Sequence, residues 1–438
     1  MTTTEFRAAP AAAAAAAAGE RLSRAAMDVA GSKILRIAAE IRALVAAGQR
    51  VVNLTVGDFS PAEFRIPQAL AEGIVEALQK GETNYPPSNG IEPLRAAVQT
   101  YAERGFGVRY PLESILVTGG ARPAIYAAYR TLVDRGDRVV YGVPSWNNSA
   151  YCDIVGAARV QIECDASTRF LPSAATLARA VRGARLLALN SPLNPTGTAF
   201  TREQLADICD LVLEENARRG AGERPLYVMF DAVYWTLMSG GAEHVDPVAV
   251  RPGMAPYTVT IDAISKSFAA TGLRVGWVLG PRDVISAMSD LVGHIGAWAP
   301  RPEQVATARL LADAEAIAAV TAAMRRDVGG RLDSLASGLF ALRAEGLPVD
   351  CVRPEGAIYV SARFALRGRR APGGERLETD EHVRQYLLRA AGVAVVPFDA
   401  FDLEGDSGWF RLSVGAVSVK QIDEMVPALR HAVRDCAA

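Results

Sequence analysis

The segment DAISKSFAATGLRVG, residues 262–276, contains residues that could form and hold a covalent bond to a ligand. Lys266 follows the apolar run YTVTIDA, Ser265 precedes it, and Arg274 lies eight residues further on. An isolated lysine is most often a solvated surface charge. In a dry site beside another cation, however, a lysine amine loses its proton readily and can form a Schiff base with an aldehyde. The neighbouring motifs favour this second role for Lys266.

Other apolar strand-like runs also end in residues suited to binding. The runs are ILVTGG, DRVVYG, RLLALN and PLYVMFD, and the residues that close or follow them are Gly120, Ala121, Arg122, Trp146, Asn194, Asp231 and Tyr234. A carboxylate such as Asp231 at the end of a buried strand requires a cationic partner. Because ligands of parallel sheets bind at the carboxyl ends of the strands, these residues predict one shared site.

One ligand would use all of these groups: a flat aromatic aldehyde that carries a phosphate, a phenolic oxygen and a basic ring nitrogen. Pyridoxal phosphate has this chemistry. Lys266 would form the Schiff base, and Asp231 would keep the ring nitrogen protonated. Asn194 and Tyr234 would donate hydrogen bonds to the phenolic oxygen. The predicted cofactor is therefore pyridoxal 5'-phosphate.

The phosphate of this ligand would have its own set of partners. The backbone N–H groups of Gly120, Ala121 and Arg122 open a predicted helix, where an anion is favoured. Ser265 and the fork-shaped guanidinium of Arg274 would complete the phosphate site. Trp146, in VPSWNN, could stack on the ring face, although a lone tryptophan more often belongs to the core.

The order of apolar runs and helical patterns predicts the fold class. Short runs that are apolar throughout alternate with helical patterns such as PAIYAAYRTLV, which is typical of an α/β fold with a mostly parallel sheet covered by helices. Beyond Ala306 the pattern changes to a long helical stretch through about Gly346, then strand-like pieces and the charged loop RGRRAPGGER. We expect a disordered or frayed arm at 1–31, a segment at 32–66 that contributes to the small domain, a large cofactor-binding domain at 67–306 and a smaller α+β domain at 307–438. A helix is predicted from Ser32 to Gly48.

Composition excludes several function classes. The chain has 438 residues, a formal net charge of -1 and half its residues apolar, so no overall field favours nucleic acid or a membrane surface. The five cysteines and four histidines lack metal-ligand spacing, and they are Cys152, Cys164, Cys209, Cys351, Cys436, His244, His294, His382 and His431. Neither a metal site nor a transmembrane span is expected, and we predict a cytoplasmic protein.

The segments NSPLNPTG, FDAVY and SKSFAATGLRVGW resemble the signature segments of class I/II aminotransferases, of the aspartate aminotransferase type. These are fold-type I enzymes dependent on pyridoxal phosphate, and the resemblance extends from about Ser32 to the end. It implies a large domain with a sheet of the seven-stranded type and a homodimer with shared active sites. It assigns to Lys266, Asp231 and Tyr234 the catalytic roles described above.

The resemblance also implies substrate contacts. Arg411, in WFRLSVG, matches the arginine that binds the substrate α-carboxylate, with Asn194 and Gly57, in TVGDFSP, beside it. Tyr85, in TNYPPSNG, matches a tyrosine that reaches the phosphate of the neighbouring subunit. Phe398 stands where the family usually has glycine, and the arm and RGRRAPGGER are additional, which predicts an altered substrate entrance.

The predicted function is transfer of an amino group between an amino acid and a 2-keto acid, with Lys266 as the base that moves a proton from Cα to C4'. An alternative keeps the cofactor and fold but performs side-chain elimination or carbon–carbon bond formation, as in enzymes of specialised metabolism. A ligand-sensing module of a transcription regulator is disfavoured, because no basic recognition helix is visible before the main body. The amino donor and acceptor stay open, with Arg65, Arg122 and Arg301 as candidates to meet a side-chain carboxylate.

Overall fold

The structure, a computed structural model, describes residue 27 and residues 31–436. Most of the arm predicted over residues 1–31 therefore lies outside the described residues. The helix predicted after it is confirmed over Lys33–Ala46, and Ser32 caps it by accepting a hydrogen bond from the backbone N–H of Leu35. Gly48, the predicted stop, has a φ of 86°.

The secondary-structure elements follow the alternation expected from the sequence. The strands are β1 (Val52–Asn53), β2 (Ile115–Thr118), β3 (Arg138–Val143), β4 (Ala158–Glu163), β5 (Leu186–Asn190), β6 (Tyr227–Asp231), β7 (Thr258–Ala263), β8 (Gly276–Leu279), β9 (Val349–Val352), β10 (Tyr359–Phe364), β11 (Val393–Ala394), β12 (Val396–Pro397) and β13 (Trp409–Ser413). The helices are α1 (Lys33–Ala46), α2 (Gln68–Gln79), α3 (Glu92–Phe106), α4 (Ala121–Leu132), α5 (Asn148–Val155), α6 (Ala174–Leu177), α7 (Arg202–Arg218), α8 (Pro247–Val250), α9 (Ile264–Ser267), α10 (Arg282–Ile295), α11 (Arg301–Ala312), α12 (Ala314–Ala344), α13 (Asp380–Ala391) and α14 (Val419–Arg434). Short 3-10 helices span Leu112–Ser114, Ala166–Thr168, Pro252–Tyr257, Thr271–Leu273 and Phe398–Phe401.

A seven-stranded sheet of the described residues has the order β2-β8-β7-β6-β5-β3-β4. Strand β8 pairs antiparallel with β2 and with β7, whereas the other neighbours are parallel. The predicted mostly parallel α/β sheet is therefore confirmed. The sequence prediction missed β4 and β8 as strands, and β8 begins only two residues after Arg274.

The parallel register brings the carboxyl ends of the central strands to one edge. Asn190 at the end of β5 pairs with Asp231 at the end of β6, and Asp231 pairs with Ile261 of β7. The residues of β7 are buried throughout, as expected for a strand covered on both faces. Polar residues just beyond these ends consequently lie side by side.

A second, antiparallel sheet has the order β12-β13-β10-β9, and β1 pairs with β11 in a separate two-stranded sheet. The apolar core beside it joins residues distant in sequence, because Leu54, Phe59 and Phe64 lie in one cluster with Leu335 and Leu339 of α12. The N-terminal segment thus shares a core with the C-terminal part of the chain. The domain boundaries at residues 66 and 306 stay predictions.

The long helical stretch predicted from Ala306 to about Gly346 consists of two helices. Two helices, α11 and α12, meet at Asp313, whose carboxylate accepts a hydrogen bond from the backbone N–H of Ala316 at 2.9 Å. An aspartate in this position satisfies free N–H groups at the start of a new helix. The break therefore follows from a local capping signal.

The two sheets are joined by a loop of the large sheet and a turn before β10. The N–H groups of Glu355 and Gly356 donate to the carbonyl of Gly197 at 2.7 and 3.0 Å. The Glu355 carboxylate also accepts from the backbone N–H of Ala199 at 2.9 Å and pairs with Arg169. This junction holds the NSPLNPTG loop against the strand that carries Tyr359.

The described residues also bear on the predictions about a membrane span and a metal site. None of the described helices combines the length and apolarity needed to cross a membrane. In the same described part, no three His, Cys, Asp or Glu side chains are grouped as metal ligands, and the five cysteines are free and buried.

Gly197 should be essential to the junction between the sheets. Its φ is 75°, and a Cβ there would overlap the carbonyl oxygen of Tyr359. Gly241 is the matched control, since its φ is 79° but nothing lies within 4 Å of the place that a Cβ would take. Gly241→Ala should lower the free energy of unfolding by about 1–2 kcal/mol through backbone conformation alone. Gly197→Ala should lower it by roughly 4 kcal/mol or more in chemical denaturation, and equal effects would contradict this account.

Candidate active site

Lys266 lies in α9, a one-turn helix that follows β7 directly. The sequence placed it at a strand-to-loop transition, and the structure replaces that loop by this short helix. Its Nζ donates to the carbonyl oxygen of Gly57 at 2.6 Å and lies 5.8 Å from the ring centroid of Tyr234. The amine therefore points into the space between the two sheets.

The surroundings of Lys266 favour its neutral form. Burial lowers the pKa of the amine to about 8, with Asp58 opposing this shift and the positive charges of Arg411 and Arg122 adding to it. Asp231 opposes it to a smaller extent. A lysine that loses its proton near neutral pH can act as a nucleophile or base, so the predicted reactive role has a physical basis.

Asp231 closes β6 beside this amine. Burial raises the pKa of its carboxyl group to about 6, while the backbone N–H of Val233, which donates to Oδ1 at 3.2 Å, and the charge of Lys266 lower it. A cation placed against this carboxylate would keep it ionised.

Arg411 is buried without a carboxylate partner among the described residues, and only 1% of its surface is exposed. Its Nη2 donates to the carbonyl of Thr55 at 2.6 Å and its Nη1 to Oδ1 of Asn194 at 3.2 Å, while Nε has no hydrogen-bond partner. The guanidinium lies between two aromatic rings, with centroids of Tyr359 and Phe401 each 4.8 Å from Cζ. Such a cation is suited to binding a carboxylate, since a buried charge requires an opposite one.

A lone arginine in a strand is often a surface residue at the edge of a sheet. Arg411 is instead buried and lies on an internal strand. Strand β13 lies between β12 and β10 in the small sheet. Gly57 lies against the same group, because a Cβ on it would be 3.0 Å from Oη of Tyr359 and 3.5 Å from Nη1 of Arg411. The structure therefore brings Lys266, Gly57, Asn194 and Arg411 together.

Gly120 and Arg274, two residues predicted to bind the phosphate, lie against each other at the start of α4. Gly120 precedes α4 with a φ of 90° and no side-chain cap, and a Cβ on it would overlap the guanidinium of Arg274. Arg274 is held by donating to the carbonyls of Thr271 at 2.6 Å and Gly119 at 3.0 Å. Ser265 lies buried one residue before Lys266. The free backbone N–H groups at the start of α4 and the fixed guanidinium of Arg274 together favour binding of an anion.

The three arginines left open by the sequence differ in their surroundings. Arg301 donates to the Glu82 carboxylate at 2.6 Å, and Arg65 is exposed. Arg122 lies with its Cζ 4.8 Å from the ring centroid of Trp146 and lowers the pKa of Lys266. Arg122 is therefore the one of the three that acts on the Lys266 amine.

Tyr85 and Phe398 lie outside the immediate surroundings of the Lys266 amine. Tyr85 is 82% exposed, and its ring meets Trp298 edge-on at 5.4 Å. Phe398 is fully buried, packs on Phe170 at 5.2 Å between ring centroids, and belongs to a cluster that includes Ile37 of α1. Phe401, rather than Phe398, reaches Arg411.

The sequence analysis missed three residues of this site: Tyr359, Phe401 and Asp58. Asp58 follows Gly57 directly, and its Oδ1 accepts from the hydroxyl of Thr271 at 2.7 Å. The Tyr359 hydroxyl lies 2.7 Å from that of Tyr234. Tyr359 in the apolar strand β10 and Phe401 in a short 3-10 helix have the sequence pattern of core residues, so no sequence signal separated them from the rest of the core.

Two substitutions near Lys266 should shift the pKa of its amine in opposite directions. Arg122→Gln removes a positive charge and should raise the pKa of Lys266 from about 8 towards its ordinary value of 10.5. Asp58→Asn removes a negative charge and should lower it further. The pH dependence of Lys266 acylation in cofactor-free protein, followed by peptide mass spectrometry, measures both. Shifts in the same direction would show that general loosening of the site, and not charge, is responsible.

Comparison with known proteins agrees with this arrangement. The family model "Aminotransferase class I and II" matches residues 49–429. The aspartate aminotransferase of Rhizobium meliloti (strain 1021) is 31% identical over 407 residues, which cover 92% of this chain and 93% of the relative. That of Streptomyces avermitilis is 32% identical over 401 residues, which cover 90% and 92%.

Solved structures show the same likeness. The crystal structure of the aspartate aminotransferase from Rhizobium meliloti has a TM-score of 0.85 at 29% identity and covers 95% of this chain and 99% of its own. The Thermus thermophilus aspartate aminotransferase with maleate has a TM-score of 0.82 at 28% identity, covering 94% and 99%. The fold, the family match and the relatives at this identity agree, and the chain belongs to the aminotransferase class I and II family.

Proposed function

We propose that this protein is a pyridoxal phosphate-dependent aminotransferase that moves an amino group between an amino acid and a 2-keto acid. The observation that carries the proposal is the buried Lys266 amine, which donates to the carbonyl oxygen of Gly57 at 2.6 Å and is acted on by the charges of both Arg411 and Asp231. The family and the names of the relatives, which are aspartate aminotransferases, support it.

The residues present fit the cofactor. The chain offers an amine with a lowered pKa, a buried carboxylate at a strand end, and a helix start where only glycine leaves room beside a guanidinium. Lys266 would hold the aldehyde carbon, and Asp231 the ring nitrogen. The remaining partners would be Asn194 and Tyr234 at the phenolic oxygen, Gly120, Ala121, Arg122, Ser265 and Arg274 at the phosphate, and Trp146 at the ring face.

When bound, pyridoxal phosphate supplies a ring that accepts the electrons released when the Cα–H bond of an amino acid is broken. Asp231 strengthens this property, because an ionised carboxylate keeps the ring nitrogen protonated. The charge pair also removes the penalty that burial places on Asp231. The protonated ring nitrogen would thus add a cation at Asp231 to the charge of Lys266, which already acts on this carboxylate.

Arg411 would bind and orient the α-carboxylate of the substrate. Its two terminal nitrogens are already fixed by Thr55 and Asn194, and the rings on both faces restrict rotation. Such a preorganised fork forms two parallel hydrogen bonds with a carboxylate. Gly57 lies against both groups, since its carbonyl accepts from the Lys266 amine and a Cβ on it would be 3.5 Å from Nη1 of Arg411.

Lys266 would then act as the base. With its amine free, Lys266 would be the group that takes the proton from the substrate Cα and holds it for transfer. A pKa of about 8 suits this task, because the amine is available in its neutral form near neutral pH and is still a strong enough base.

We further infer that aspartate is an amino donor. The names of the relatives suggest this substrate, and Arg122 is the candidate to meet its side-chain carboxylate, since Arg301 is occupied by Glu82. The alternative reactions, side-chain elimination and carbon–carbon bond formation, would use the same lysine. No observation favours them over amino transfer.

A homodimer with shared sites is also proposed. Apolar side chains are exposed on the helices that precede Tyr85 and its contact Trp298 in sequence, and they are Val75, Leu78 and Ile295. The contact between Tyr85 and Trp298 links the segment after α2 with the segment after α10. A second copy covering this surface would bury these side chains and place Tyr85 near the partner's phosphate site. A cytoplasmic location stays a prediction.

Aspartate given alone should convert the bound cofactor stoichiometrically into pyridoxamine phosphate and release the corresponding keto acid. A different 2-keto acid added afterwards should restore the original visible absorbance. Chromatography of the cofactor and spectroscopy of the protein measure both. Loss of a substrate side-chain fragment without pyridoxamine phosphate, across a broad screen of amino acids, would replace amino transfer by the alternative reactions.

Two variants distinguish the role of Lys266 in binding the cofactor from the role of Arg411 in binding the substrate. Lys266→Ala should lose the visible band, and borohydride reduction of the wild-type protein should label Lys266 alone. Arg411→Lys should keep the band but require at least roughly tenfold more aspartate, because lysine cannot form the paired hydrogen bonds. An unchanged requirement for aspartate would remove Arg411 from the substrate site.

The shared-site proposal predicts complementation between two inactive variants. In a hybrid of Lys266→Ala and Tyr85→Ala subunits, one site has both an intact Lys266 and an intact Tyr85 from the partner. Random mixing should therefore restore up to about a quarter of the wild-type activity. Unmixed variants are the controls. Sedimentation that shows an active monomer would contradict the dimer.

A further inference from the structure

Two buried tyrosine hydroxyls are in contact at the centre of the proposed site. The Oη atoms of Tyr234 and Tyr359 lie 2.7 Å apart, and only 3% and 0% of the two residues is exposed. The rings meet edge-on with their centroids 5.6 Å apart. This distance between the oxygens is that of a good hydrogen bond between hydroxyls, in which either oxygen could be the donor.

The number of hydroxyl protons determines which of the two tyrosines donates this hydrogen bond when the cofactor is bound. A tyrosine hydroxyl has a single proton and can donate only one hydrogen bond. If Tyr234 donates to the phenolic oxygen of the cofactor, as proposed above, its proton is no longer available to Tyr359. The bond between the two hydroxyls must then be donated by Tyr359 and accepted by the oxygen of Tyr234.

Arg411 acts on both hydroxyls of this pair. Burial raises the pKa of each hydroxyl, and the charge of Arg411, whose Cζ lies 4.8 Å from the ring centroid of Tyr359, opposes both rises. The number of protons, and not a difference in acidity, therefore sets the direction of the bond. A hydroxyl that accepts a bond also becomes a stronger donor itself, because hydrogen bonds in a chain polarise one another.

We propose that Tyr359 is a positioning residue that donates to Oη of Tyr234 and so strengthens the bond from Tyr234 to the phenolic oxygen of the cofactor. This inference rests on the proposed function. Tyr359 would thereby link the cation that binds the substrate carboxylate to the group that holds the cofactor oxygen. The link runs from Arg411 through Tyr359 to Tyr234.

A purely structural role of Tyr359 can be separated from this one. The ring of Tyr359 packs against Arg411 and Tyr234, and its backbone carbonyl lies against Gly197. Tyr359→Phe keeps the ring and the backbone and removes only the hydroxyl. Tyr386→Phe is the matched control, since the buried Tyr386 hydroxyl donates to the carbonyl of Ala432 at 2.7 Å, in a contact between α13 and α14.

The test is a pH titration of the visible absorbance of the protein loaded with pyridoxal phosphate. Its midpoint reports loss of the proton from the Lys266 nitrogen. A donor to the phenolic oxygen stabilises the negative charge that remains after this loss, so weakening the donor raises the midpoint. Tyr359→Phe should raise it by only a fraction of the shift that Tyr234→Phe produces, on the order of 0.1–0.3 pH unit, because the bond from Tyr234 is kept and only weakened. Tyr386→Phe should leave it unchanged.

A double-variant cycle identifies the path of the effect. Tyr234→Phe should raise the midpoint, and adding Tyr359→Phe to that background should produce no further shift, because the acceptor of Tyr359 is gone. Unfolding midpoints of all variants verify that they fold.

Three outcomes have distinct meanings. An unchanged midpoint in Tyr359→Phe overturns the inference, and so does a shift of equal size in the Tyr234→Phe background, which would show that Tyr359 acts by another route. A wild-type protein that forms no pH-dependent visible band with pyridoxal phosphate would instead contradict the proposed function itself.

Discussion

The burial of the Arg411 guanidinium is the interaction on which the arrangement of the site depends. A cation with 1% exposure and no carboxylate partner in the described part of the chain must be stabilised by neutral groups. These come from separate places in the sequence: the Thr55 carbonyl, the Asn194 amide, and the rings of Tyr359 and Phe401. One charge therefore brings four separate segments together.

The electrostatics of Lys266 follow from the same constraint. Burial favours the neutral amine, and the charges around it divide into cations that support this effect and carboxylates that oppose it. The pKa of the amine therefore depends on the charges around it. A charged group that binds near Lys266 would change this pKa. Arg411 and Asp231 are the two buried charges of opposite sign that act on the amine together with Arg122 and Asp58.

The junction between the two sheets connects stability to this chemistry. Gly197, Glu355 and Gly356 hold the loop that carries Asn194 against β10, which carries Tyr359. The loop comes from the end of a parallel strand, whereas β10 belongs to the antiparallel sheet. A change in this junction would therefore displace both Asn194, which accepts a hydrogen bond from Arg411, and an aromatic ring that lies against Arg411. Tyr359 contacts both Arg411 and Tyr234 and so connects these two residues directly.

The sequence by itself determined the alternating fold, and it singled out Lys266 together with several residues that the structure places near it. Parallel strands that are buried on both faces are apolar throughout, and the polar residues at their carboxyl ends stand out against them, as Asp231 and Asn194 do. Local signals also located helix ends, such as the Ser32 cap. Motif spacing was enough for these residues because each lies within a few positions of a strand end.

Only the tertiary structure decided the surroundings of Arg411 and the roles of Asp58, Tyr359 and Phe401. Their contacts join segments that lie far apart in the sequence, and no local periodicity records such pairings. A tyrosine in an apolar strand has the same sequence pattern whether its hydroxyl meets another hydroxyl or a backbone carbonyl. The antiparallel placement of β8 escaped prediction for the same reason, since strand direction depends on the partner across the sheet and not on the residues of the strand.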